Sequence, residues 1–306
     1  MNIDTCPRGS YADANAANAA DAADAADASF AGLIAYTTQP YFMSLAVAGY
    51  FSMICVLSKY MKYRIPYNLK VPMLIYNNAQ ILLNIYMVYG LSAVISYPNI
   101  YGINIPYTNE LRYFVYIHYL SKYLDYFDTL FIILRGKETQ QLSYLHIYHH
   151  STIGIIWGFL LYRGHGNGTA AFGCLINSAV HLVMYSHYLC TSLGYRNPFK
   201  KYITRTQLLQ FVVCLLHSLV VICVEDIVPR RYALIELVYQ TTMLVLFSNF
   251  YVKSYYARDA GLSCSARYAS LSCYAGLSCS ARYARDAGYA RTAGLSCSLP
   301  ITLNTV

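Results

Sequence analysis

Residues 207–224 read QLLQFVVCLLHSLVVICV, an uncharged apolar run long enough to cross a bilayer as one helix. Six further predominantly apolar runs occupy about 41–58, 71–94, 111–134, 145–162, 169–190 and 233–252. Each is continuous, unlike the alternating pattern of a barrel strand, so the expected fold is all-α: a membrane bundle of seven transmembrane helices. Composition points the same way, since the chain is 57% hydrophobic and 12% charged, where soluble domains carry about 25% charged residues. The net charge of +8 does not imply a nucleic-acid partner, because the basic residues sit in short loops between apolar runs.

Those loops orient the bundle. Lys59, Lys62, Arg64 and Lys70 follow the first run, Arg135 and Lys137 the third, and Arg196, Lys200, Lys201 and Arg205 the fifth. Lys253 opens the tail, whereas the opposite side holds only Arg8, Arg163, Arg230 and Arg231. The bias predicts a lumenal amino terminus and a cytosolic carboxyl terminus, with the Asn167 sequon on the lumenal side. Residues 1–30 lack a signal-peptide pattern and are expected to be a disordered Ala/Asp-rich segment. Residues 257–306 contain Ala-Gly-Leu-Ser-Cys-Ser at 260–265, 275–280 and 293–298, and are expected to form a low-complexity tail. The folded domain is thus expected over 31–256. None of the ten cysteines forms a CxxC pair, so neither a zinc ribbon nor a redox pair is indicated.

Polar residues inside membrane spans are costly and mark functional sites. His146, His149 and His150 open the fourth span, and their spacings place His146 beside both of the others on one helical face. Three imidazoles can bind a metal, serve as nucleophile and acid/base, or simply line an interface. Lys122, Asp125, Asp128 and Thr129 lie in the third span, where they can form a structural ion pair, act in catalysis or orient a histidine. Asn177, His181, Met184, Tyr185 and Tyr188 share one face of the fifth span, and His187 falls off it. Thr204, Gln207 and Gln210 begin the sixth, where amides can donate to carbonyl or phosphate oxygens or satisfy the helix start. By topology all four clusters fall in the cytosolic half of the bilayer, below a cationic mouth suited to an amphiphile with a phosphate-rich head.

In order, these clusters resemble the KxxExxDT, HxxHH, NxxxHxxMYxYY and TxxQxxQ motifs of the ELO family of very-long-chain fatty-acid elongases, over about residues 40–256. Asp125 stands where the family usually has glutamate, and His187 where it has the first tyrosine of a pair. The resemblance implies a 3-ketoacyl-CoA synthase that joins acyl-CoA to malonyl-CoA with release of CoA and carbon dioxide. It implies His149 as nucleophile, assisted by His146, His150 and His181. Substrate contacts would come from Lys122, Asp125, Asp128, Asn177, Tyr185, Tyr188, Thr204, Gln207 and Gln210. The second to seventh helices would enclose an acyl-chain tunnel. No cofactor or metal is expected, malonyl-CoA being a co-substrate. The implied setting is the endoplasmic reticulum membrane, beside the ketoacyl reductase, dehydratase and enoyl reductase of the elongation cycle. Gln141 and the run Leu142–Leu145 resemble a polyunsaturated-type subgroup. Two other readings compete: a di-iron desaturase or hydroxylase, which needs about as many histidines as the chain's total of eight, and a seven-helix receptor or transporter.

Overall fold

The structure, a computed structural model, describes residues 28–95, 99–166, 168–195 and 199–256. All regular structure among them is helical. A short helix α1, Ala28–Thr37, begins inside the segment expected to be disordered. Residues 1–27, the Asn167 sequon position and the repetitive tail from 257 lie outside the described residues. The main helices are α2 (Pro40–Met61), α3 (Lys70–Val94), α4 (Asn109–Leu124), α5 (Tyr126–Leu134), α6 (Glu138–Gln141), α7 (Tyr144–Tyr162), α8 (Thr169–Ser192), α9 (Lys200–Val224) and α10 (Arg230–Tyr251). A second unit begins with a π-helical turn, Val252–Tyr256.

Four helices are long and apolar enough to cross a membrane: Pro40–Met61, Thr169–Ser192, Lys200–Val224 and Arg230–Tyr255. The chain is a multi-pass membrane protein. Outside that set, α4 and α5 are short, at 16 and 9 residues, while α3 and α7 are made less apolar by Asn77, Gln80 and Asn84 in the one and three histidines in the other.

The expectation of one unbroken helix over 111–134 needs correction at Asp125. There the Asp128 amide bonds the Asp125 carbonyl at 3.1 Å, a tighter three-residue pairing. The Leu124 carbonyl, which that amide would meet in a regular helix, accepts from the Tyr76 hydroxyl of α3 at 3.2 Å instead. The sixth run also starts earlier than expected: α9 begins at Lys200, so Thr204, Gln207 and Gln210 occupy its first turns rather than its threshold.

Helix contacts form a closed circuit, α3 to α4 to α7 to α10 to α9 to α8 and back to α3, while α2 packs against α5 and α7. Two glycines allow close approach. A Cβ on Gly90 would meet the Phe114 ring at 2.0 Å, and one on Gly158 would meet Met43 Sδ at 2.4 Å. The apolar core gathers the end of α3 (Met87, Leu91), the start of α4 (Leu111, Val115), the end of α7 (Trp157, Leu161) and the start of α8 (Ala171, Cys174). Loops fasten this end. The Glu225 carboxylate accepts from the Asn104 amide at 2.9 Å and the Ile227 amide at 2.9 Å, and Asn104 Nδ2 donates to the Val224 carbonyl at 3.1 Å. The chemistry-bearing residues occupy the opposite ends of the same helices.

Candidate active site

The centre of the polar half is Lys122, in the last turn of α4. Lys122 and Asp125 are each 2% exposed and lie 3.6 Å apart, Nζ to Oδ2. Charges this deeply buried need compensation from every side. Lys122 Nζ also donates to Asn177 Oδ1 of α8 at 2.9 Å, and Asn177 Nδ2 reaches Gln210 Oε1 of α9 at 3.5 Å. Asp125 Oδ1 accepts from Gln80 Nε2 of α3 at 3.0 Å and from the Tyr185 hydroxyl of α8 at 3.1 Å. That hydroxyl lies 2.8 Å from Asp128 Oδ2, so its one proton serves two carboxyl groups in turn. One network therefore ties α3, the α4–α5 junction, α8 and α9.

The histidines enter from α7. Ser143 caps that helix, its hydroxyl accepting from the His146 amide at 3.2 Å, which fixes His146 in the first turn. His146 and His150 pack with ring centroids 4.2 Å apart and planes tilted by 32°, and His149 meets His150 edge-on at 5.4 Å. His146 Nε2 lies 2.7 Å from Thr129 Oγ1, and Tyr50 of α2 bonds that same oxygen at 3.1 Å. The group that orients a histidine is thus a threonine; no carboxylate bonds one among the described residues. His149, His150 and His181 all lie within Coulombic range of Lys122. His181 packs against the Tyr185 ring at 5.8 Å. His150 Nδ1 is buried without a hydrogen-bond partner, an acceptor or donor held ready inside the site.

Most residues singled out in the sequence therefore converge. Lys122, Asp125, Asp128, Asn177, Tyr185 and Gln210 share one network, and His146, His149, His150 and His181 adjoin it. Three stand off. Tyr188 is 37% exposed and packs edge-on against Tyr185. Gln207 Nε2 points to Met184 Sδ at 3.5 Å. The Thr204 hydroxyl donates back to the Lys200 carbonyl at 3.4 Å. Three contributors were not foreseen. Tyr76 and Gln80 project from α3, with Asn84 continuing their four-residue spacing; that polar stripe on an apolar helix was a readable signal. Tyr50, one of 34 tyrosines, carried none. Among the described residues, no group of three or more His, Cys, Asp or Glu is arranged to hold a metal ion.

Comparison with known proteins completes the picture. Residues 35–261 match the ELO family model, described as the GNS1/SUR4 family. The chain is 49% identical over 205 residues to Fatty acid elongase 5 of Leishmania major, covering 67% of this chain and 82% of that protein. It is 43% identical over 205 residues to Fatty acid elongase 4 of Trypanosoma brucei brucei, covering 67% and 81%. With Very long chain fatty acid elongase 5 of Rattus norvegicus it shares 32% identity over 211 residues, covering 66% and 70%. The motif order, the convergent polar network and these similarities together establish that the chain belongs to the ELO family of fatty acid elongases.

Proposed function

We propose that this protein carries out the condensing step of fatty acid elongation on the His149 imidazole. The protein is a very-long-chain 3-oxoacyl-CoA synthase: acyl-CoA and malonyl-CoA give 3-ketoacyl-CoA, CoA and carbon dioxide. In the first half-reaction a His149 nitrogen attacks the acyl thioester carbonyl. The N–C bond forms, the C–S bond breaks, and CoA leaves as the thiol with the imidazole proton. In the second, the carboxylate C–C bond of malonyl-CoA breaks and carbon dioxide departs. The electron pair left on carbon attacks the acyl-imidazole, and the imidazole leaves, taking up a proton from solvent in place of the one that departed with CoA. His150 and His181 are placed to relay these protons. Lys122 and Asn177 supply positive charge and an amide dipole beside the oxyanions. Malonyl-CoA enters as co-substrate, and the scheme calls for no metal or cofactor.

The observation that carries this reading is segregation. Ionisable groups from the α4–α5 junction, α7 and α8 meet at one end of a helix circuit whose other end holds the apolar core and its fastening loops. That arrangement suits a chain threaded tail-first, with its thioester at the histidines. In this reading all seven apolar runs cross the membrane. The circuit of α3, α4 with α5, α7, α8, α9 and α10 encloses the acyl tunnel, and the site opens to the cytosolic face of the endoplasmic reticulum. The three later enzymes of the cycle take up the product there. Gln141 and Leu142–Leu145 favour polyunsaturated acyl chains as substrates. The test is condensation from labelled malonyl-CoA in proteoliposomes, across saturated and polyunsaturated acyl-CoAs. His149→Ala is expected to lose at least about a hundredfold in rate while keeping the wild-type melting temperature. Undiminished ketoacyl-CoA formation by that variant would overturn the histidine mechanism.

A further inference from the structure

Among the groups around the histidines, Tyr50 is the one supplied by α2, the helix beside the circuit rather than within it. Only 11% of the apolar window of α2 is buried. Yet Tyr50 is 1% exposed and Thr129 0%. The Tyr50 ring packs on Tyr126 at 4.4 Å and lies over His150 at 6.3 Å, their planes 22° apart. Its hydroxyl is 3.1 Å from Thr129 Oγ1, which is 2.7 Å from His146 Nε2. A phenol carried so far into an otherwise lipid-facing helix contact costs stability unless its hydroxyl is bonded.

Counting protons gives the chain a direction. Tyr50 and Thr129 each have one hydroxyl proton. Were His146 Nε2 the donor, Thr129 Oγ1 would accept from it, and only one of the two buried hydroxyl protons could find an acceptor in the chain. Among the described residues the Tyr50 hydroxyl bonds Thr129 alone. The opposite direction pairs both hydroxyl protons, Tyr50 donating to Thr129 and Thr129 to His146 Nε2, and leaves the ring proton on Nδ1 of the half-buried His146 rather than on a fully buried phenol.

We propose that Tyr50 is a positioning residue for the condensation, acting through Thr129 to hold His146 as its Nδ1–H tautomer, packed against His150. This rests on the histidine reading above. His146 Nε2 is then committed to the scaffold, and proton transfer falls to His150 and His181. Helix α2 becomes part of the catalytic apparatus rather than a membrane anchor.

The experiment measures kcat and KM in proteoliposomes for Tyr50→Phe, Thr129→Val, Thr129→Ser and the Tyr50→Phe/Thr129→Val pair, with His149→Ala in parallel. Tyr50→Phe keeps the ring and should lower kcat roughly tenfold with KM for acyl-CoA unchanged, the expected scale for loss of one buried hydrogen bond. Thr129→Ser should recover most of the rate that Thr129→Val loses. The pair should be no slower than Thr129→Val alone, since both changes break one chain. Wild-type kcat in Tyr50→Phe, additive losses in the pair, or equal rates for the serine and valine variants would each overturn the relay. An active His149→Ala enzyme would instead sink the underlying mechanism, whatever Tyr50 does. If Tyr50→Phe fails to fold, the contrast between Thr129→Val and Thr129→Ser decides the question.

Discussion

Lys122 and Asp125 hold opposite charges at the buried α4–α5 junction, and each is the other's nearest charge compensation at 3.6 Å. Removing the cation leaves a buried carboxylate uncompensated. Lys122→Met is therefore expected to destabilise the protein by about 3–5 kcal/mol, read as a lower melting temperature in detergent. Little or no change in melting would show that the pair contributes nothing to the fold. Asn177 would lose its strongest partner in the same variant, so the residual enzyme should also be slow. The pairing of Lys122 with Asp125 was legible from their three-residue spacing, as was the placing of His146 beside His150. The partners of those residues were not, because they come from helices distant in sequence. Thr129 was visible in its motif, but nothing in the sequence said that it, and not a carboxylate, would hold His146.

Between helices, small residues and caps decide whether those groups meet. Gly158 sits where a Cβ would fall 2.4 Å from Met43 Sδ and 2.8 Å from the Tyr119 ring, at the contact of α7 with α2 and α4. Gly158→Ala is expected to cost about 1–3 kcal/mol through overpacking, measured by thermal melting, with wild-type stability as the contrary result. The Ser143 cap acts closer to the chemistry. Ser143→Ala removes the acceptor of the His146 amide and should cost about 1 kcal/mol. It should also loosen the turn that presents His146, lowering kcat before KM. An unchanged kcat would separate the cap from catalysis. Apolar periodicity placed every long helix to within a few residues, except where α9 begins at Lys200. It missed the interruption at Asp125, since no proline or glycine marks it and its cause is the Tyr76 hydroxyl of another helix.

Over the whole molecule, one end of the helix circuit holds the apolar core and its fastening loops, while the other gathers the Lys122 network and the histidines of α7. In the proposed topology the polar end faces the cytosol, as the bias of loop charges favours. A glycosylation acceptor engineered into the 99–108 loop should be modified in microsomes, and one added after residue 306 should not. The reverse pattern would invert the molecule. The apolar runs and the four motifs made an all-helical membrane protein and its family legible in advance. The circuit of helix contacts was not, because periodicity says which face of a helix is apolar and not which neighbour covers it. The central claim is that His149 carries the acyl chain between the two substrates, and the most direct measurement omits malonyl-CoA. Purified protein is given acyl-CoA alone, quenched, and examined by peptide mass spectrometry alongside an assay for free CoA. The account predicts one acyl adduct, on the peptide bearing His149, with one equivalent of CoA released. No adduct and no CoA release until malonyl-CoA is added would contradict it.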